Sequence, residues 1–109
     1  ICLKELTIYG NINTDKFINC HQDKHLKYLK TLILYGTNYT TSNIPKSVKI
    51  LSLKNTYNQP LLELPQNLKE LTLGNYFNQP IDSLPNGLKR LEIGNSFNPY
   101  FRSIGLLVS

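Results

Sequence analysis

Leucine and isoleucine recur along this chain on alternate positions, as L-x-L preceded by L-K-x or V-K-x. The pairs are Leu6/Ile8, Leu32/Leu34, Leu51/Leu53, Leu71/Leu73 and Leu91/Ile93. Apolar alternation at period two marks a strand that buries one face, so the pattern predicts five short strands. Three stretches superpose without a gap: IPKSVKILSLKNTYNQPLLE from Ile44, LPQNLKELTLGNYFNQPIDS from Leu64 and LPNGLKRLEIGNSFNPYFRS from Leu84, a period of 20 residues. The copies begin their strand motifs at Leu3, Leu29, Val48, Leu68 and Leu88, spaced 26, 19, 20 and 20 residues apart. Self-similarity at such a period predicts a solenoid, its longer first coil being the atypical end.

Twenty residues leave no room for a strand, a three-turn helix and two connections. Pro45, Pro60, Pro65, Pro80 and Pro85 also remove donors and restrict the backbone, so the return path is predicted as extended segments and turns. Strands one repeat apart then run parallel, about 4.8 Å apart. The fold class is a repeat solenoid, mainly β: a leucine-rich-repeat-like coil of about five short parallel strands with a helix-poor convex side. One domain is expected over residues 1–109: a long irregular first repeat (1–28), a divergent repeat (29–47), three regular repeats (48–107) and a truncated end (108–109). Leu106, Leu107 and Val108 are expected to cover the last coil. Tyr57, Phe77 and Phe97 share one repeat position and should stack as an aromatic column, while Leu61, Ile81 and Phe101, with Leu64, Leu84 and Ile104, close the back. Asn58, Asn78 and Asn98 follow the aromatics, where a carboxamide can satisfy backbone groups of a buried turn as donor and acceptor.

Tyr57-Asn58-Gln59-Pro60 and Phe77-Asn78-Gln79-Pro80, each behind the same L/I-P-x-x-L/V-K-x-L-x-L frame, resemble the FNIP repeat, a leucine-rich-repeat relative seen in social amoebae and in giant viruses of amoebae. The likeness covers Ile44 to Ser103. It departs at Phe97-Asn98-Pro99-Tyr100, which lacks the Gln, in the first two copies, which lack the quartet, and in a period shorter than the roughly 22 residues more usual for the family. The resemblance implies an interaction module, often carried behind an F-box that links a captured protein to a ubiquitin ligase. No F-box lies in these residues.

Composition narrows the function classes. The chain has no Ala, Met or Trp, but 19 Leu, 13 Asn and 10 Lys against 2 Arg, the bias of an AT-rich genome and a poor composition for helices. A chain without Met carries no initiator, so a preceding segment is expected. No run of eighteen apolar residues spans a bilayer, and no hydrophobic leader follows basic residues. The net charge of +5 is spread along the chain, and with Arg nearly absent it lacks the Arg-and-aromatic concentration of a nucleic-acid binder. The partners expected are therefore proteins, acidic ones among them, with no nucleic acid, membrane or small-molecule substrate, and the location expected is the cytoplasm, a host's if the chain is viral.

Binding is expected on the open face, where Tyr9, Ile33, Tyr35 and Ile50 form an apolar and aromatic patch on the first three strands. Lys4, Lys30, Lys49, Lys69 and Lys89 form a ladder whose ammonium groups repel weakly in water; Lys49 and Lys69 are the candidates for contact with an acidic partner, against the plainer reading of a solvated edge. Cys20, His21, Asp23 and His25 are the one cluster of nucleophilic or metal-capable side chains, without the paired spacing of a zinc site. No cofactor and no catalytic residue is expected. An extracellular recognition or adhesion domain is the alternative, on the sequon Asn38-Tyr39-Thr40 and a clamp between Cys2 and Cys20.

Overall fold

The computed structural model describes residues 3–9, 26–36, 41, 44–54, 56–81 and 83–94. Five strands form one parallel sheet in chain order: β1 (Glu5–Ile8), β2 (Thr31–Tyr35), β3 (Ile50–Lys54), β4 (Glu70–Leu73) and β5 (Arg90–Ile93). No α-helix occurs among the described residues. The registers Glu5↔Thr31, Thr31↔Ile50, Ile50↔Glu70 and Glu70↔Arg90 reproduce the sequence offsets of 26, 19, 20 and 20. The longer first interval is therefore absorbed outside the strands.

In-register stacking places like on like. Leu32, Leu51 and Leu71 form one fully buried row and Leu34, Leu53 and Leu73 a second, while Leu91 and Ile93 on the outer strand are only partly buried. Leu29, Val48 and Leu68 form a third row ahead of the strands, all without exposed surface. Burying a side chain of this size contributes about 1.5–3 kcal/mol, so these rows are the main source of cohesion between coils.

One turn feeds each of β2 to β5. Pro45, Pro65 and Pro85 each accept a hydrogen bond from the N–H three residues on, at 3.1 Å from Val48 and 3.2 Å from Leu68 and Leu88. Leu26 and Leu29 make the same turn at 3.2 Å without proline. Proline suits the first position because the turn needs only its carbonyl, its missing donor costing nothing there. Immediately downstream, one lysine carbonyl accepts two N–H groups of the next coil: Lys49 from Lys69 at 2.8 Å and from Glu70 at 3.0 Å. Lys4, Lys30 and Lys69 repeat this arrangement.

Behind the sheet, Tyr57 and Phe77 are fully buried and lie parallel, their centroids 6.3 Å apart and their planes 1° apart, as the aromatic column requires. Ile44, Leu64 and Ile81 are buried with them; Leu61 and Leu84 are half-buried. Phe97, Phe101, Ile104 and the expected cover of Leu106, Leu107 and Val108 lie outside the described residues. Thr41, the buried polar residue of this layer, donates its hydroxyl to the carbonyl of Leu62 and accepts from the Leu62 N–H at 2.6 Å. One side chain thereby satisfies both backbone groups of a residue in the next coil.

Gly74 and Gly94 continue the ladder past the strands, donating to Leu53 at 3.0 Å and Leu73 at 3.1 Å. Glycine at 94 has a structural reason. A Cβ on Gly94 would lie 2.5 Å from Asn75 Cα and 2.7 Å from its backbone nitrogen. Close approach of backbone, not a left-handed φ, requires the glycine at 94.

Two consequences are measurable. Gly94→Ala should lower stability in denaturant melts by about 1–3 kcal/mol through overpacking against backbone, and Gly87→Ala, whose Cβ would meet the flexible end of Lys69, by less than about 1 kcal/mol; equal losses would show that the close approach does not matter. Burial pushes the Tyr57 phenol far above its ordinary range. A raised acid contributes stability that is complete below the unfolded value, about 10, and is lost as pH rises above it at about 1.4 kcal/mol per unit. Tyr57→Phe, which copies Phe77, should therefore flatten the fall in stability between pH 9 and pH 11, as equilibrium unfolding at each pH will show.

Candidate functional site

Side chains that alternate with the buried leucines stand on the other face of the sheet, where no second layer covers them among the described residues. Across the strands one row reads Glu5, Thr31, Ile50, Glu70, Arg90 and the next Thr7, Ile33, Ser52, Thr72, Glu92. All are half-buried or exposed, which is unusual for a parallel sheet. The outer strand is charged here: Arg90 Nη2 donates to Glu92 Oε2 at 2.7 Å, and this pairing raises the Arg90 pKa further. Charge on an edge strand discourages pairing with other sheets.

The four apolar and aromatic residues singled out on this face fall on β2, β3 and the end of β1. Ile33 lies between Thr7 and Ser52, and Ile50 between Thr31 and Glu70, so the two isoleucines are diagonal neighbours. Tyr9, 68% exposed, stacks on Tyr35 with centroids 4.7 Å apart and planes 8° apart. That separation is the strand spacing itself, which holds successive rings face to face. Lys54, opposite Tyr35 on β3, carries its ammonium 5.9 Å from the Tyr35 ring centre, within cation–π range. The result is a column Tyr9–Tyr35–Lys54 at the downstream end of the sheet.

Lys49 and Lys69 are not on that face. They stand just before β3 and β4, at the upstream edge, in one row with Lys4, Lys30 and Lys89. Lys4, Lys30 and Lys49, with Tyr28, Ser47 and Asn67, line a groove of about 440 Å³. The structure thus places Tyr9 and Tyr35 at the downstream end of the open face, Ile33 and Ile50 within it, and Lys49 and Lys69 just ahead of the strands at its upstream edge. Tyr28 was not singled out by sequence; it is 54% exposed, and its only signal is its place just before Leu29, equivalent to Ser47, Asn67 and Gly87.

Among the described residues no group of three His, Cys, Asp or Glu side chains is arranged to hold a metal, and no helix is long and apolar enough to cross a membrane. Cys2, Cys20, His21, Asp23, His25 and the sequon Asn38-Tyr39-Thr40 lie outside the described residues.

The FNIP Repeat family model matches residues 40–76, 57–96 and 77–106, which together span more than half of the chain. The chain belongs to the FNIP repeat family. The matched residues begin after β2, and the comparisons with curated proteins and with solved structures gave no match.

The described geometry explains the FNIP quartet. Its aromatic points inward and stacks on the aromatic of the next coil; in extended backbone the next side chain then points outward. The expectation of buried asparagines is corrected on this ground: Asn58 is exposed and Asn78 half-buried. The ladder nevertheless forms at the surface. Asn58 Oδ1 accepts from the Asn78 N–H at 2.8 Å and from Gln79 Nε2 at 3.1 Å, and Gln79 Nε2 also reaches the Asn58 carbonyl at 3.2 Å. Asn thus serves the following coil and Gln clasps the preceding one.

Because water can replace these exposed bonds, Asn58→Ala should cost about 0.5–1.5 kcal/mol rather than the larger loss of an orphaned buried group. Asn86→Ala, in an exposed turn, should cost less than about 0.5 kcal/mol. Denaturant melts of the two variants decide it, and equal losses would dismiss the surface ladder.

Proposed function

We propose that this FNIP array is a protein-interaction module that captures a partner on the uncovered face of its sheet. The observation that carries the reading is the stack of exposed Tyr9 on half-buried Tyr35, sharing with Ile33 and Ile50 a face otherwise lined by Thr, Ser and charged side chains. Aromatic and aliphatic anchors framed by polar residues form the energetic centre of an interface, and two rings already stacked lose little side-chain freedom on binding. Repeat families without catalytic machinery act through such surfaces.

The family resemblance extends the reading. Behind an F-box, the array is the part of a ubiquitin ligase adaptor that selects the substrate, and the cytoplasm is where it does so.

The test is a pull-down from amoeba lysate with the wild-type chain and with a Tyr35→Ala, Ile50→Ser double variant shown by denaturant melt to be folded. Loss of a central aromatic anchor costs about 2 kcal/mol or more, roughly thirtyfold in affinity, so proteins held by the wild type should be absent from the variant's eluate. Retention of the same proteins by both would remove the sheet face as the binding surface.

A further inference from the structure

We propose that the lysine row at the upstream edge of the sheet is a second docking surface, which takes an extended acidic segment of a partner protein laid across the coils. The row is set by the backbone. At each coil the lysine carbonyl bridges two N–H groups of the next, so Lys4, Lys30, Lys49 and Lys69, followed by Lys89, leave the chain at equivalent points. At the strand spacing of about 4.8 Å the five residues span about 19 Å, the length of roughly six extended residues.

Three further observations point to an anionic occupant. Arg90 with Glu92 is the only ion pair among the described residues, so none of the five lysines has a carboxylate partner there. The groove between Lys4, Lys30 and Lys49 is lined otherwise by Tyr28, Ser47 and Asn67, with no acidic side chain among the described residues that line it. Lys69 also lays its ammonium over the next coil's turn, its Nζ 2.9 Å from the place of a Cβ on Gly87. Lys27, with its ammonium 5.6 Å from the centre of the Tyr28 ring, adds a cation at the groove's margin.

The occupant's chemistry follows from what the groove contains. Single-stranded nucleic acid is held by aromatic platforms for successive bases together with Arg, whereas here one tyrosine meets a row of lysines. Lysine offers a mobile point charge rather than a bidentate fork, and an extended peptide with carboxylates on alternate residues, about 6.7 Å apart, presents separate point charges that long stems can follow. The surface is separate from the Tyr9–Tyr35 face, and the two readings fail independently, since the pull-down depends on Tyr35 and Ile50 and the following assay on Lys30 and Lys49.

A fluorescein-labelled peptide of alternating Glu and Ser, about ten residues long so that at about 3.4 Å per residue it exceeds the row, is titrated with the intact chain by anisotropy at about 50 mM and about 0.15 M salt. Lys49→Gln should weaken binding about fivefold at the lower salt, and Lys30→Gln with Lys49→Gln tenfold or more. Lys54→Gln removes the same charge from the other end of β3 and should stay within about twofold. Wild-type binding should weaken at the higher salt. The proposal is overturned if the peptide does not bind, if Lys54→Gln loses as much as Lys49→Gln, or if affinity ignores salt. It is also overturned if a single-stranded oligonucleotide of equal charge, or inorganic tripolyphosphate, displaces the peptide at a lower concentration than unlabelled peptide does.

Discussion

Parallel stacking of coils in strict register is the constraint on which the rest of this molecule depends. At the strand spacing each residue has its equivalent in the next coil as its nearest neighbour, so every repeat position is tested against a copy of itself. Leucine succeeds because like apolar side chains exclude water from one another, as the rows through Leu51 and Leu53 show. Flat rings succeed because two parallel planes fit the same translation, both in the buried Tyr57–Phe77 pair and in the Tyr9–Tyr35 pair on the open face. Asparagine succeeds because its carboxamide accepts from the main chain one coil away.

The same rule gives lysine its row, where stacking like on like is unfavourable. Water and long stems keep the repulsion small, so the coil tolerates it. The opposite edge and the open face follow another logic, since Ile33, Ile50, Tyr35 and Lys54 are departures from the repeat and not products of it. Regular positions hold the coils together, and irregular ones on the exposed face distinguish this array from another with the same frame. A partner that reads the face therefore reads what the repeat leaves free to vary.

Strand number, order and register were legible in the sequence, because alternation at period two and repetition at period 20 are local or translational signals that need no distant contact to interpret. So was the aromatic column, since residues one period apart must stack once the strands are parallel. The candidate site was legible residue by residue but not as an arrangement. Tyr9, Ile33, Tyr35 and Ile50 do share the open face, while Lys49 and Lys69, adjacent to it in sequence, leave the backbone where the turn has not yet become strand. Alternation assigns a face only inside a strand, and the boundary between turn and strand is set by hydrogen bonds from the neighbouring coil.

Sequence by itself thus determined the coil: its period, its apolar rows, its parallel strands and which side chains alternate onto the open face. Tertiary structure alone decided the rest. Exposure of the Asn ladder follows from which way an extended backbone turns after a buried ring, and the groove through Lys4, Lys30 and Lys49 exists only when three coils lie side by side. The demand for glycine at 94 has the same origin. The backbone of Asn75 closes on that position, a distance between coils that no single copy of the motif contains.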